Sequence, residues 1–346
     1  STTTIEEGDL PNTATIATDV AELPIIGLAK AQTRVQDVGG GEFRSSVLFT
    51  ITNFGNVPLD DVQLTDDLTQ TFPSAVSWFV ENVDIDGDLT TVNAGFDGDQ
   101  DINLLSGTES LPVAGKATVR LDLRYTPGFE TGPFQNRAEA SGFSTVGDEV
   151  SDDSTNGLDP NPDNTHPNNH AEPTPIQFDS DPALGLAKWV EDRVFLENGQ
   201  QRIDLAIRID NVGNVPLSNV QVIDNLVFTF TPESQVQQRS VRGDFPDDDI
   251  ILKDVVDIRI EGDLDTVNTS FNGVLDTNLL TGIDSLPVDG TATVRFGMIV
   301  EPEPDDFGPF FNRGLGSGWS PSGVKIEDLS QDGFDTNPSG SGDPTD

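Results

Sequence analysis

The sequence predicts an all-β protein made of two tandem β-sandwich domains. Three observations indicate this fold. Long stretches occur twice along the 346-residue chain, apolar and polar residues alternate strictly in several runs, and clusters of Gly, Pro, Asn and Asp separate those runs as turns do. No run of comparable length has the period of a helix.

The internal repeat sets the domain organisation. The segment "GLAKAQTRV" from Gly27 aligns with "GLAKWVEDRV" from Gly185, and "NFGNVPLDDVQLTDDL" (Asn53 on) aligns with "NVGNVPLSNVQVIDNL" (Asn211 on). Further along, "NLLSGTESLPVAGKATVR" pairs with "NLLTGIDSLPVDGTATVR" after an insertion in the second copy near 235–253. The chain therefore carries one domain twice.

Two runs illustrate the strand pattern. "VRLDLRY" places Val119, Leu121, Leu123 and Tyr125 on one face, and "IDLAIRID" over 203–210 alternates in the same way. This period of two is typical of strands with one buried face. In the "GNVPL" element that both copies contain, Gly and Asn would tolerate a positive φ in a turn and Pro would stand where a strand begins.

Composition limits the partners of the protein. The chain has no cysteine, which excludes disulfides and thiolate chemistry, and its formal net charge is −42. Nucleic acid and anionic membrane surfaces would be repelled by such a charge. No apolar run is long enough to insert in a membrane. Cations are the expected binding partners. The protein is expected to be exported and extracellular.

The repeated motifs resemble a known family. "GLAK", "FTITNFGNVPLDDVQLTDDL", "GPFQNRAEASG" and "DDSTNGLDPNP" followed by "AEPTPIQF" are similar to the immunoglobulin-like repeat domains of large bacterial surface and stalk proteins, a family of unknown function. The resemblance covers nearly all of both copies. It implies an immunoglobulin-like sandwich on a secreted stalk, adhesin or fibre, and it implies no chemistry, because fold alone does not.

Family members of this kind close each domain with a strand like "EPTPIQF", which Glu172–Phe178 matches. The expected division is an N-terminal extension over 1–23, a first domain over 24–180 and a second over 181–346. In the second copy no counterpart of the closing strand follows. A sandwich without its last strand exposes unpaired backbone groups beside an apolar groove, so the second domain is expected to need a strand from elsewhere.

The N-terminal extension offers that strand. "TATIATD" aligns with "PTPIQFD" residue for residue, with Ile16 on Ile176 and Asp19 on Asp179. The predicted function is therefore that of an extracellular structural subunit that polymerises head to tail by donor-strand exchange, with itself as partner. A tail folded back on its own domain is the alternative. The predicted polymerisation strand comprises Thr13, Ala14, Thr15, Ile16, Ala17, Thr18, Asp19 and Val20.

Two acidic loops are the candidate metal sites. "DDSTNGLDPNPD" and "DLSQDGFDTNP" space oxygen-bearing side chains around a glycine, as the first half of an EF-hand loop does. Calcium is the predicted cofactor, and a solvated polar turn is the alternative. The candidate ligands are Asp152, Ser154, Asn156, Asp159 and Asp163 in the first copy and Asp328, Ser330, Asp332 and Asp335 in the second.

The sequence predicts no enzyme. Its two histidines, His166 and His170, lie together in one loop and have no counterparts in the second copy. A Ser-His-Asp arrangement or a histidine metal site is therefore not favoured. The alternative function is a surface stalk or adhesin module that binds carbohydrate or another surface, for which Trp78, Trp189 and Trp319 could supply stacking surfaces. The alternating, strand-like runs around Trp78 and Trp319 predict instead that these two side chains lie in the core.

Overall fold

A computed structural model of the chain describes residues 21–197, 199–226, 252–301 and 310–338. The predicted polymerisation strand over 13–20 lies outside these residues, as does most of the insertion of the second copy. The described residues form two β-sandwiches in chain order, and the predicted all-β fold is confirmed.

The first sandwich has three sheets. Its strands are β1 (Ile26–Gly39), β2 (Glu42–Asn53), β3 (Asp60–Thr65), β4 (Ser77–Gly87), β5 (Lys116–Thr126), β6 (Phe134–Asn136), β7 (Glu139–Phe143), β8 (Glu149–Asp153), β9 (Thr155–Asn156) and β10 (Thr174–Ile176). The sheet orders are β4-β5-β2-β1-β9, β3-β7-β8 and β10-β6. All pairs are antiparallel except β1 with β9.

The second sandwich repeats this plan. Its strands are β11 (Leu184–Phe195), β12 (Gln201–Asn211), β13 (Ser218–Asp224), β14 (Leu252–Gly262), β15 (Thr291–Val300), β16 (Gly314–Trp319), β17 (Lys325–Leu329) and β18 (Gln331–Asp332). The sheets β14-β15-β12-β11-β18 and β13-β16-β17 correspond strand for strand to the two larger sheets of the first sandwich. Among the described residues, the pair β10-β6 has no counterpart.

Each sandwich has its own apolar core, and the alternation in the sequence accounts for it. Val119, Leu121, Leu123 and Tyr125 of β5 are buried, while the residues between them are exposed or half-buried. In β12, Leu205, Ile207 and Ile209 are buried in the core of the second sandwich. Burial of one face of each sheet is the main source of stability in such a fold.

The first asparagine of the "NxGNVP" motif ties two loops together in each sandwich. The Asn53 side-chain amide donates to the carbonyl oxygens of Val57 (2.9 Å), Leu111 (3.1 Å) and Pro112 (3.1 Å). Asn211 donates in the same way to three carbonyls of the second sandwich. A buried amide with this many partners fixes the turn, because leaving loop carbonyls unpaired would be costly.

The second asparagine of the motif holds the segment that leads into each domain. Asn56 accepts from the Leu23 backbone N–H at 2.7 Å and donates to the Ala21 carbonyl at 3.0 Å. Asn214 does the same with Asp181 (2.7 Å) and Asp179 (3.0 Å). The Asn214 amide also lies 2.8 Å from an Asp37 carboxylate oxygen of the first sandwich.

The glycine of this motif has a different role from the predicted one. Neither Gly55 nor Gly213 has a positive φ. A Cβ at Gly55 would lie 2.5 Å from the Leu23 carbonyl oxygen, and one at Gly213 would lie 2.4 Å from the Ala183 nitrogen. Glycine is required here because the incoming backbone passes too close for a side chain.

Candidate functional site

The closing strand of the first sandwich is β10. It pairs antiparallel with β6, with Ile176 opposite Phe134. The side chain of Ile176 has no exposed surface. The Thr174 hydroxyl donates to the carbonyl oxygen of Lys30 at 2.8 Å in the interior. This three-residue strand therefore seals the end of the core with one apolar and one polar contact.

Residues after β10 extend the seal. Gln177 exchanges two hydrogen bonds with the Gln32 side chain, at 3.2 and 2.9 Å. The Tyr125 hydroxyl donates to the Gln177 carbonyl at 3.2 Å. Next to it, the Phe178 ring lies 4.7 Å from the Phe43 ring centroid and 6.3 Å from that of Phe134. The segment 174–178 thus completes an aromatic cluster.

The corresponding position in the second sandwich is built differently. "GPFQNR" around β6 aligns with "GPFFNR", so Phe310–Asn312 is the counterpart of Phe134–Asn136. The described residues 310–313 form no strand. Phe311 is 83% exposed. Both polar atoms of the Asn312 side chain are buried without a hydrogen-bond partner among the described residues.

We call this position, Phe310–Asn312, the open edge. In the first sandwich the matching residues receive β10, whereas at the open edge no described strand is paired with them. Residues 13–20 were predicted from the sequence to fill it. The structure does not describe those residues, so the donor strand stays a prediction.

The first carboxylate of each predicted calcium loop has another role. Asp152 accepts a hydrogen bond from the Leu28 backbone N–H at 2.7 Å, and Asp328 accepts one from Leu186, also at 2.7 Å. Both side chains are almost fully buried. Burial raises the pKa of Asp152 to about 7, although the Leu28 hydrogen bond opposes this shift. Asp152 therefore anchors β8 to β1, and Asp328 anchors β17 to β11.

The serines of the same loops are also engaged internally. The Ser154 hydroxyl accepts from the Ala138 N–H at 3.1 Å, and the Ser330 hydroxyl accepts from the Gly314 N–H at 2.9 Å. Asn156 and Asp332 belong to β9 and β18. Each pairs with the buried lysine of the first strand in its domain, in parallel register.

The remaining predicted ligands close local turns. Asp159 accepts from the Asn161 N–H at 3.0 Å, and Asp335 accepts from the Asn337 N–H at 3.0 Å. Asp163 lies 2.9 Å from a ring nitrogen of His170. Hydrogen bonds from Thr165 and from His170 lower the pKa of Asp163 to about 2. Within the described part of the chain, no group of three or more acidic or histidine side chains is placed to hold a metal ion.

Calcium binding stays a prediction, and a chelator tests it. If the loops bind calcium in the folded state, removal of the ion with EGTA should lower the melting temperature, because a ligand bound only to the folded state stabilises it. The measurement is a thermal melt with EGTA, repeated after calcium is restored. Identical melting temperatures in the two samples would contradict the prediction.

Sequence reasoning missed a buried ion pair in each sandwich. The Lys30 ammonium nitrogen lies 2.6 Å from the Asp66 carboxylate, and both side chains have no exposed surface. Lys188 and Asp224 form the equivalent pair. Burial lowers the pKa of Lys30 to about 8 and raises that of Asp66. The signal was present, because a lysine interrupts the apolar "GLAK" run in both copies.

The tryptophans lie in separate surroundings. Trp78 packs on Phe72 with ring centroids 6.0 Å apart, and Trp189 packs on Phe334 at 4.8 Å. Trp319, which its alternating pattern predicts to be in the core, is 41% exposed.

In the described ranges no helix is both long and apolar enough to cross a membrane.

No protein-family model and no curated protein matches the chain. Among solved structures, the chain is similar to a glycoside hydrolase family 20 exo-β-N-acetylglucosaminidase of Vibrio harveyi, at 13% identity and a TM-score of 0.22 over 49% of this chain. It is similar to the major pilin SpaD of Corynebacterium diphtheriae at 9% identity and a TM-score of 0.26 over 85% of this chain. It covers 20% of the first protein and 56% of the second.

A third similar structure is the CupB6 tip adhesin of Pseudomonas aeruginosa. Identity is 9% and the TM-score is 0.32, with 90% of this chain and 99% of the adhesin covered. All three TM-scores are low, so the functions of these proteins do not transfer to this chain.

Proposed function

We propose that the protein is an extracellular structural subunit that polymerises head to tail. In this proposal, residues 13–20 of one molecule form a strand at the open edge of the next molecule. A contact of this kind joins two different surfaces, so it repeats without closing and builds a filament. The subunit itself turns over no external substrate.

The observation that carries the proposal is the contrast between the two sandwiches. In the first, β10 covers Phe134 and buries Ile176 completely. In the second, Phe311 is exposed and the Asn312 amide has no described partner. An edge that no described strand covers, beside apolar side chains, favours addition of a strand, which satisfies backbone groups and buries apolar surface together.

The first sandwich supplies the register of the added strand. There, Thr174 is opposite Asn136, Pro175 opposite Gln135 and Ile176 opposite Phe134. The alignment replaces these three residues of β10 by Ala14, Thr15 and Ile16. Ile16 would therefore lie against Phe310 in the core, and Thr15 would face outward opposite Phe311. Backbone hydrogen bonds hold such a strand, and alternate side chains set its register.

The acidic surface affects assembly without driving it. A net charge of −42 makes subunits repel one another. The association must therefore come from backbone pairing and apolar burial at the open edge. Salt screens the repulsion, so filaments should form more readily as ionic strength rises, and calcium held in the acidic loops would act in the same direction.

Deletion of residues 1–20 tests the strand. The truncated protein should stay monomeric by size-exclusion chromatography and by electron microscopy, while the full chain forms filaments. The single change Ile16→Asp should have the same effect, because a carboxylate cannot be buried unpaired in the core. The matched control Ile5→Asp lies outside the predicted strand and should leave assembly intact.

Two outcomes would contradict the proposal. Filaments that persist after deletion of residues 1–20 would show that residues 13–20 are not needed as a donor strand. A full-length protein that stays monomeric under all salt conditions would favour the alternative of a stalk or adhesin module, which glycan-array binding would then examine.

A cysteine pair tests the register. In the chain, which has no cysteine of its own, Thr15→Cys with Phe311→Cys should form a disulfide between molecules, because opposite residues of paired strands have Cβ atoms within reach of one. Non-reducing gels should show a ladder of covalent multimers. The pair Thr18→Cys with Phe311→Cys is displaced by about 10 Å along the strand and should give none. A disulfide within one chain would instead indicate a tail folded back on its own molecule.

A further inference from the structure

Three polar side chains meet inside the first sandwich. Lys30 comes from β1, Asp66 directly follows β3, and Asn136 ends β6. All three residues are buried. One oxygen of the Asp66 carboxylate lies 2.6 Å from the Lys30 nitrogen and accepts from the Asn136 amide at 3.3 Å. The Lys30 amine and the Asn136 carboxamide are thus both hydrogen-bonded to the carboxyl group of Asp66.

The cluster is incompletely hydrogen-bonded. The second carboxylate oxygen of Asp66 and the carbonyl oxygen of Asn136 are buried without a partner among the described residues. Stability does not account for such an arrangement, because a buried ion pair often contributes no more than apolar side chains of similar volume. Unpaired buried polar atoms add a further cost. The arrangement calls for a chemical explanation.

We propose that Lys30 and Asn136 form an intramolecular amide bond and that Asp66 is the catalytic residue. The new bond joins the Lys30 side-chain nitrogen to Cγ of Asn136. The bond between Cγ and the Asn136 amide nitrogen breaks, and ammonia leaves. The overall change is amine plus carboxamide to substituted carboxamide plus ammonia, with no oxidant, reductant or cofactor.

Asp66 can move every proton that this reaction requires. Transfer of a proton from the lysine to Asp66 leaves a neutral amine, which is the nucleophile, and a carboxylic acid. The Asn136 amide presents its nitrogen to Asp66 in this structure. After a half-turn of that amide, the acid can donate to the Asn136 carbonyl oxygen and polarise it for attack. The carboxylate then accepts a proton from the attacking nitrogen and returns one to the leaving nitrogen. One carboxyl group that touches both reactants is sufficient.

The environment prepares both partners. Burial lowers the pKa of Lys30 to about 8 and raises that of Asp66, and each shift favours the neutral form that the first step needs. The Phe49 ring, 4.8 Å from the Lys30 nitrogen, adds to the apolar surroundings. Asn136 is favoured over Asp66 as the acceptor, because attack on Asn136 leaves Asp66 free to transfer the protons, and a polarised carboxamide can expel ammonia.

The second sandwich repeats the buried ion pair, and the sequence alignment supplies the asparagine. Lys188 and Asp224 form a buried ion pair at the positions of Lys30 and Asp66. Asn312 is the sequence counterpart of Asn136, and its amide atoms are buried without a described partner. We extend the proposal to Lys188 and Asn312, with Asp224 as the catalytic residue. In the second sandwich Asn312, the residue that the lysine would attack, belongs to the open edge. In the first sandwich the corresponding edge pairs with β10, and the Thr174 hydroxyl of that strand donates to the Lys30 carbonyl oxygen.

Intact-mass spectrometry of the full chain under denaturing conditions tests the proposal. Each bond removes one ammonia, so the protein should be lighter than its sequence by about 17 Da per sandwich, or about 34 Da in total. Tandem spectra of a digest should show branched peptides that join Lys30 to Asn136 and Lys188 to Asn312. A mass equal to that of the sequence would overturn the proposal. A loss of about 18 Da per sandwich, which is water, would assign the bond to the aspartate instead.

Variants identify the role of Asp66. Asp66→Ala should restore about 17 Da to the first sandwich while the second keeps its loss as an internal control. The matched control Asp67→Ala removes a neighbouring carboxylate that contacts Thr69, and it should leave both losses intact. The wild-type digest decides the question even if Asp66→Ala fails to fold. A branched peptide that persists in Asp66→Ala would exclude Asp66 as the catalyst.

Discussion

Replacing Ile176 by alanine should lower the free energy of unfolding of the first sandwich by about 2 to 5 kcal/mol. Ile176 has no exposed surface and belongs to the core that Phe134 and Phe178 also line. The strand that carries it has only three residues, so side-chain burial contributes much of what holds it in place. Loss of these contacts should release β10 and expose the aromatic cluster beneath it.

Urea denaturation measures this effect, and tryptophan fluorescence can isolate the first sandwich. Trp78 packs on Phe72 in that domain, so Trp189→Phe and Trp319→Phe leave it as the sole reporter. Glu172→Ala, at an exposed position just before β10, is the control. A change below about 0.5 kcal/mol for Ile176→Ala, the range of ordinary surface substitutions, would show that β10 does not close the core.

The same substitution at Ile16 separates the two roles of such a strand. If residues 13–20 act between molecules, Ile16→Ala should leave the unfolding of the monomer unchanged and weaken assembly instead. The measurement is the protein concentration at which filaments first appear, which should rise. An Ile16→Ala monomer that unfolds more easily than wild type would indicate that the extension folds back on its own molecule.

The second large effect is a pH dependence that comes from Asp152. Its side chain is 4% exposed, and burial raises its pKa to about 7 from an ordinary value of 3.8. Between these two values the folded protein binds the proton more strongly than the unfolded chain does. The free energy of unfolding should therefore rise as the pH falls through about 7 and level off near 4. A shift of this size corresponds to about 4 kcal/mol.

Comparison with a variant isolates this contribution. In Asp152→Asn the proton-dependent change should disappear, so the wild-type protein gains stability relative to the variant as the pH falls from about 8 to 5. Asp153→Asn removes the same charge from an exposed neighbour. Because the Asp153 charge raises the pKa of Asp152 less than burial does, this control should keep most of the wild-type slope. Equal slopes for wild type and Asp152→Asn would contradict the prediction. Asp163, whose pKa is lowered to about 2, has the opposite effect. Its contribution to the free energy of unfolding is lost as the pH falls, and only in more acidic solution.

Much of the fold could be predicted because the sequence of one domain occurs twice in the chain. A period of two in "VRLDLRY" can describe only a half-buried strand, and all four of its apolar residues are buried as expected. The alignment of the two copies also points to Phe310–Asn312, where the second sandwich departs from the first. Such comparisons succeed because burial follows side-chain polarity directly.

The chemistry of the acidic residues could not be predicted in the same way. "DDSTNGLDPNPD" has the spacing of a loop that binds cations, yet Asp152 and Ser154 accept hydrogen bonds from backbone N–H groups of other strands. Spacing along the chain does not reveal which backbone donors come close in space. Lys30 was missed for a related reason, because its partners Asp66 and Asn136 are distant in sequence and meet only when the sheets pack.

Asn56 and Asn214 hold the backbone that leads into their own sandwiches in the same way. If residues 13–20 pair with a neighbouring molecule as proposed, the chain would run from the second sandwich of that neighbour into its own first sandwich along the path by which the linker enters the second. Successive sandwiches of a filament would then be related by nearly one operation, whether or not a molecular boundary lies between them. Fourier transforms of filament images should show strong intensity at half the axial repeat of the subunit.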